Sequence, residues 1–354
     1  MIGGVPSRVE AATKAALLEL VDQAITEGLS LRDACRVLQV TERRVNRWQA
    51  RRTAGALADH PSGGGAVHGL LDWEVKAILE LAEQWGQVDR SHRKLAHRGS
   101  YLHRVWVSPA SVYRVLVAHD LVLPALPTRA PVQRQPWPDW IDYRPNQVWG
   151  WDVTHFGRCR AAPCAFAIID LVSRKWLVTL LSAEETSSQV EVVFTDALEA
   201  EELMGLVAAR QDGRVDLAAD DPTRPILLAV SDNGPQMTSG STREFLALCS
   251  IAQHFGRPHT PTDQAPIESF FGHVKGEWPH LEHIRDPDEL RPELEVVHTH
   301  YNTVRLHAGI GYVTPDDEHT GRGAQIRRAR RQGLEWARRR RIAYHRKHDK
   351  EHRP

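Results

Sequence analysis

Apolar positions recur at helical spacing in three short segments between Ala11 and Arg52. Leu17, Leu20, Val21 and Ile25 share one face of the first segment, and Gly28 stops it. Ser30 followed by Asp33 reads as the capping-box start of a second helix carrying Leu31, Ala34, Val37 and Leu38. A tight Gln39-Val40 connection leads to Thr41, the expected N-cap of a third helix with Val45 and Trp48 turned inward. Arg43, Arg44, Asn46, Arg47, Arg51 and Arg52 then face outward. This is a helix-turn-helix pattern over residues 1–54, with a basic, Asn-bearing recognition helix. The plainer alternative is a small helical bundle whose arginines are merely solvated.

Residues 55–70, with Ser62-Gly63-Gly64-Gly65, predict a flexible linker. A second helical unit follows at 71–123, with helices expected at 72–85, 91–98 and 109–119, the last opened by the N-cap Ser108 and first-turn Pro109. Arg90, Arg93, Lys94, Arg98 and Arg104 make its middle basic, as in a second helix-turn-helix-like unit. His92, His97 and His103 lack paired cysteines, so surface or core roles are expected for them rather than zinc binding. At 124–145 six prolines interleave with Trp137 and Trp140, an extended linker at a domain boundary.

Beyond that boundary the period changes. Val148–Phe156, Cys164–Asp170 and Lys175–Leu181 are short runs rich in β-branched and aromatic residues, the last two joined by a turn at Leu171–Arg174. A helix is expected at about Glu184–Met204, then an acidic loop, a buried strand at Ile226–Ser231, a helix at Thr242–Cys249, a strand at Ile251–Phe255 and a helix at Gln264–Gly276. The order predicts an α/β domain at 146–316 with a mixed sheet. The arginine-rich tail, 317–354, is either a basic helix or a disordered arm.

Composition first points away from nucleic acid: 45 Lys+Arg balance 45 Asp+Glu over 354 residues. Placed along the chain, that zero is a cancellation. Residues 1–130 carry 17 basic and 13 acidic side chains, 131–315 carry 15 and 26, and 316–354 carry 13 and 6. An acidic centre therefore lies between two basic ends. Of the basic residues 38 are Arg, which suits bidentate phosphate contacts, although a GC-rich genome gives the same bias. No apolar run reaches membrane-helix length and no signal peptide is recognisable, so a cytoplasmic protein with no membrane contact is expected. Cys35, Cys159, Cys164 and Cys249 form no CxxC pair, and neither a disulfide framework nor a cysteine zinc site is suggested.

Three acidic residues stand where solvation alone would not put them. Asp152 lies inside VWGWDVTHF, Asp232 follows the strand ILLAVS and opens the turn Asp232-Asn233-Gly234, and Glu268 sits beside Ile267, Phe270 and Phe271 in QAPIESFFGHVKGE. A buried carboxylate needs hydrogen bonds, a cation or a metal, and three that converge need a divalent ion such as Mg²⁺ or Mn²⁺. Taken singly each has a structural reading: a strand-end residue, a turn and a first-turn acid.

Together VWGWDVTHF, SDNGPQMTS and QAPIESFFGHVKGE resemble the catalytic core of insertion-sequence transposases and retroviral-type integrases, the Asp-Asp-Glu superfamily with a ribonuclease-H-like fold. Between Asp232 and Glu268 lie 35 residues, the spacing usual for the superfamily. HYNTVRLHAGIGYVTP, residues 300–315, looks like the closing motif of insertion-sequence family three and its relatives. The 79 residues between Asp152 and Asp232 exceed the usual gap, which suggests an insertion near 209–225, and Gln264-Ala265-Pro266 departs from the usual pattern before the glutamate.

The resemblance implies a mixed five-stranded sheet with flanking helices, preceded by the helix-turn-helix units. It also implies two Mg²⁺ (or Mn²⁺) ions held by Asp152, Asp232 and Glu268, with Thr154 and Asn233 supporting them. Lys275, on the helical face of Glu268 and Gly272, would meet DNA phosphate, and Asp170 matches a recurrent structural position. Arg43, Arg44, Asn46, Arg47 and Arg51, with Tyr113 and Arg114, are the expected DNA contacts. The implied activity is cleavage and strand transfer at the terminal inverted repeats of a mobile element, by a homodimer or larger multimer on double-stranded DNA in the bacterial cytoplasm, associated with the nucleoid. A transposase-derived regulator without catalysis and a nuclease that cuts without joining are the competing readings.

Overall fold

The computed structural model describes residues 5–6, 9–59, 66–122, 137–157, 163–212, 224–232, 234–255 and 261–351, without the side chains of 261–266, 268 and 349–351. The chain forms two compact units, Met1–Gly69 with Arg341–Pro354, and Leu70–Arg340.

In the first unit α1 (Ala11–Thr26), α2 (Leu31–Val37) and α3 (Glu42–Thr53) pack around Leu18, Val21, Cys35, Val40, Val45 and Trp48. The start of α2 is capped as expected: Ser30 Oγ accepts from the Asp33 amide at 3.1 Å and donates to its carboxylate at 2.5 Å. The inward face of α1 differs from expectation, because Lys14, Leu18 and Val21 are buried while Leu20 and Ile25 are exposed. The cause is polar. Lys14 Nζ is drawn in to Asp59 (2.7 Å) and the Leu57 carbonyl (3.2 Å), which fixes the buried line at 14, 18 and 21. Hydrogen bonds from Lys14 and then Arg51 hold the Asp59 carboxyl down at about 2.

The second unit begins with α4 (Asp72–Asp89), α5 (His92–Tyr101) and α6 (Pro109–Ala118), packed around Ile78, Leu81, Leu95, Val105, Val112 and Leu116. Ser108 caps α6 by accepting from the Ser111 amide at 3.1 Å, ahead of Pro109. Gly99 is required where α5 meets the returning chain, since a Cβ there would lie 2.8 Å from Val105 Cγ1.

Then come β1 (Val148–His155), β2 (Cys164–Asp170), β3 (Trp176–Ser182), α7 (Ser187–Ala200), α8 (Met204–Gln211), β4 (Leu227–Ser231), α9 (Pro235–Thr238), α10 (Gly240–Leu248) and β5 (Ile251–Phe255). The chain continues through α11 (Pro261–Glu277), α12 (Pro287–Thr303), α13 (Pro315–His319) and α14 (Gly323–Glu351). The sheet order is β3-β2-β1-β4-β5; β2 runs antiparallel to both neighbours, while β4 is parallel to β1 and β5. This is the expected mixed five-stranded sheet with flanking helices. The basic tail, left open by the sequence, is helical through Glu351.

Alternation along the central strands divides the core in two. Val148, Leu228 and Val230 face Ile267, Phe270, Phe271 and Val274 of α11 and Leu294, Val297 and Tyr301 of α12. Trp149, Trp151, Leu227 and Ala229 face Val190, Val193, Phe194 and Ala197 of α7 and Leu246 of α10. Cys35, Cys164 and Cys249 are buried free thiols, and Cys159 lies outside the described residues. No helix among the described residues is long and apolar enough to cross a membrane.

Candidate active site

The parallel ladder between β1 and β4 pairs Val148 with Leu228, Trp149 with Ala229 and Gly150 with Val230. Two residues further along each chain stand Asp152 and Asp232. Asp152 lies midway along β1 and Asp232 just past the end of β4, so extending the register by two residues sets them side by side on neighbouring strands, whose spacing is about 4.8 Å. Alternation puts both on the side of Val148, Gly150, Leu228 and Val230, the face that α11 covers.

Both aspartates are half-buried. Asp152 Oδ1 accepts from the Val153 amide at 2.8 Å, and Asp232 Oδ1 accepts from the Gly234 amide at 2.9 Å, an Asx turn. A side chain at Gly234 would crowd that turn, since its Cβ would lie 3.1 Å from the same oxygen. Thr154, half-buried and paired with Ala165, follows Asp152 on the same face.

Glu268 stands on α11, next to Ile267, which anchors the helix to this face. The Glu268 side chain and the whole of Asn233 lie outside the described residues. Lys275 is nearly two helical turns beyond Glu268 and on the same flank. Its Nζ donates to the His155 carbonyl at 2.7 Å, lies 5.5 Å from the Phe156 ring centroid and is 3.6 Å from Glu282. That flank of α11 thus borders the end of β1. Among the described residues no three His, Cys, Asp or Glu side chains gather as a metal site. Asp152 and Asp232, on neighbouring strands, nevertheless supply the anionic oxygens that suit a hard divalent cation.

Asp170 has a different role. It is fully buried, with Oδ1 accepting from the Val172 amide (3.1 Å), the Ser173 amide (2.5 Å) and Ser173 Oγ (2.8 Å), and Oδ2 from the Asn146 amide (2.7 Å). Burial pushes its carboxyl pKa up against these bonds. Ser173 Oγ is 2.9 Å from His319 Nδ1, and His319 Nε2 is 2.6 Å from Glu201 Oε2. Glu201 Oε1 in turn accepts from Lys175 Nζ at 2.9 Å. The Ser-His-Glu order resembles a hydrolase relay, but Ser173 is fully buried and the chain of bonds fastens α13 to the β2–β3 turn. Sequence reasoning missed it: its members are scattered from 146 to 319 and share no local motif.

The expected DNA contacts divide into exposed and committed side chains. Arg43, Asn46 and Arg47 are exposed on α3. Arg44 instead bonds the Val5 and Pro6 carbonyls and lies over the Trp48 ring, and Arg51 holds Asp59 at 2.7 Å and the Ala56 carbonyl at 3.0 Å. Tyr113 and Arg114 are exposed on α6.

Two stretches of this domain match known families. Residues 142–261 match the family described as integrase core domain, and residues 249–315 match a second family of the same description. A curated relative, the transposase for insertion sequence element IS904 of Lactococcus lactis, is 26% identical over 174 residues, 49% of this chain and 61% of that protein. The match thus spans less than two thirds of the relative's length. Among solved structures, a chain of the simian T-cell lymphotropic virus intasome in complex with PP2A regulatory subunit B56 gamma is 16% identical, covering 63% of this chain and 73% of its own, with a TM-score of 0.37. The HTLV-2 integrase catalytic core domain in complex with magnesium is 19% identical, covering 50% and 97%, with a TM-score of 0.34. Residues 142–315 thus match integrase core domains, and the chain is similar to a curated insertion-sequence transposase.

Proposed function

We propose that the chain is a DNA transposase that cleaves and joins strands at the terminal inverted repeats of its own element, with Asp152, Asp232 and Glu268 as the catalytic carboxylates. What supports this reading is the β1–β4 register, which extended by two residues sets Asp152 beside Asp232 on the α11-covered face. The ionised form of each is the working one. The Val153 and Gly234 amides orient one oxygen of each aspartate and leave the carboxylates acting as ligands rather than as general acids. Bound there, two Mg²⁺ or Mn²⁺ ions would supply Lewis-acid stabilisation of a phosphodiester undergoing in-line displacement. Glu268 would complete the set from α11, with Thr154 and Asn233 supporting it.

Lys275 holds its flank of α11 against the end of β1 through the His155 carbonyl, and its charge is near enough to that end to attract phosphate. Arg43, Asn46 and Arg47 of α3, with Tyr113 and Arg114 of α6, are the groups available to read or grip DNA; Arg44 and Arg51 tie α3 to neighbouring segments. Pairing two DNA ends calls for at least two protomers, acting on the nucleoid in the bacterial cytoplasm. The closing motif at 300–315 favours a place in insertion-sequence family three.

Cleavage and strand-transfer assays on end-containing duplexes with Mg²⁺ test the proposal. Asp152→Asn, Asp232→Asn and Glu268→Gln are expected to abolish both steps while DNA binding persists, and full activity in these variants refutes it. Wild-type cleavage without joining identifies a nuclease, and DNA binding without either step identifies a regulator.

A further inference from the structure

α14 has two unlike sides over its length to Arg340. On the inner side Arg330 is buried, bonding the Gly311 and Tyr312 carbonyls at 2.8 Å each and Ser100 Oγ at 2.9 Å, with Ala337 buried along the same line. Gly333 lies against the Trp106 indole. Arg327 is held by Glu318 (2.6 Å) and the Ile310 carbonyl (2.8 Å), and Arg340 lies over the rings of Trp73 and Trp336, 5.0 and 5.3 Å from their centroids. These arginines are structural.

Arg328, Arg331, Arg338 and Arg339 are exposed. At 100° per residue they fall within an arc of about 100° on the side away from Arg330 and Ala337. Glu335 is the single acid on that arc. The four form two pairs, 328 with 331 and 338 with 339, whose midpoints are about 13 Å apart along the axis. The major groove of B-DNA is about 12 Å wide. A helix laid across it would bring one pair to each phosphate rim, where planar guanidinium forks bind phosphate oxygens well.

We propose that the outer face of α14 is a docking surface for duplex DNA, gripping the two phosphate backbones that border a major groove through Arg328, Arg331, Arg338 and Arg339 without reading sequence. The inference rests on the reading of the chain as a DNA transposase and adds a place where DNA is held. It also answers an electrostatic need. The segment 131–315 carries a net excess of acidic side chains, and an exposed basic face in the same compact unit offsets the repulsion of DNA that this excess implies.

The test is fluorescence anisotropy of a labelled random-sequence duplex with the full chain, titrated at several salt concentrations. The variant R328Q/R331Q/R338Q/R339Q, with its fold checked by thermal melting, should bind roughly 10- to 100-fold more weakly at moderate salt, with a log–log salt slope shallower by about 3 to 4. Glu335→Gln removes the one acid and should tighten binding severalfold, a readout that survives if the quadruple variant does not fold. Unchanged affinity and slope in a folded quadruple variant, or no tightening with Glu335→Gln, overturns the proposal. So does preferential displacement of the duplex by single-stranded RNA, or a loss of self-association in the quadruple variant with the salt slope intact, which would make the face a contact with the acidic centre of a second copy. Failure of the transposase reading shows separately, as strand-cleavage activity retained in Asp152→Asn.

Discussion

Arg98 and Asp89 form a buried, doubly hydrogen-bonded ion pair, Nε to Oδ2 at 3.0 Å and Nη2 to Oδ1 at 3.2 Å, and the same Nη2 donates to the Val304 carbonyl at 2.8 Å. One guanidinium thus joins the α4–α5 corner to the end of α12, and the Trp85 ring covers it at 4.1 Å. Arg98→Met would leave the Asp89 charge buried without its partner and should cost about 3–5 kcal/mol. Replacing both partners, Arg98→Met with Asp89→Leu, should cost clearly less. Urea unfolding of the two variants checks this, and equal losses would show that the unpaired Asp89 charge adds nothing to the cost.

Gly333 is a mid-helix glycine where alanine would ordinarily add up to about 1 kcal/mol of stability. Here a Cβ would lie 2.0 Å from Trp106 Nε1. Gly333→Ala should therefore destabilise by about 1–3 kcal/mol, the range for overpacking, and shift tryptophan fluorescence as Trp106 is displaced. In a Trp106→Ala background the same substitution should become neutral or stabilising, and a persistent loss there would exclude the clash as its cause.

Glu201 titrates low, at about 2: burial alone would raise it, but hydrogen bonds from His319, Lys175 and Asn146 prevail. A carboxyl whose folded pKa is depressed stabilises the fold above its unfolded value of 4.5, and that contribution is lost as pH falls from there toward about 2. Glu201→Gln should cost about 2–3 kcal/mol at neutral pH and flatten the stability profile between those limits. A variant with the wild-type profile would show that the bonds from α13 and Lys175 contribute nothing.

His97 has a different window. Burial first, then the nearby Arg330 charge, pushes its imidazole down to about 4, while its ring stacks on Tyr312 with centroids 4.2 Å apart. Below 6.5 the unfolded chain takes up a proton that the folded chain refuses, so stability falls as pH drops from about 6.5 to about 4. The loss approaches about 3 kcal/mol over that range. His97→Gln should remove the slope in denaturation curves collected at pH 7 and pH 5; an unaltered slope would assign the sensitivity elsewhere.

The sheet was legible because strand-forming runs bounded by turns are local signals: β2 and β5 have the expected limits, β1 ends one residue earlier, and β3 is shifted by one residue at both ends. α12 was not anticipated. Leu290, Leu294, Val297 and Tyr301 do keep helical spacing, but Pro292 inside a polar, histidine-bearing segment obscures it. Both aspartates were legible as misplaced charges, whereas their level alignment needed the parallel register, a property of two strands 80 positions apart. Arg44 and Arg51 read as solvent-facing because a charged residue's partner is invisible when it lies at Val5 or Asp59. The inward turn of Lys14 has the same explanation.

The β1–β4 ladder acts as a ruler. It sets Asp152 beside Asp232 by counting hydrogen-bonded residues from Val148 and Leu228, and the count is indifferent to how much chain is threaded between the strands. Segments grafted or trimmed between α8 and β4 would therefore leave the two carboxylates in step, whereas a single residue inserted between Gly150 and Asp152 would turn one of them to the opposite side of the sheet.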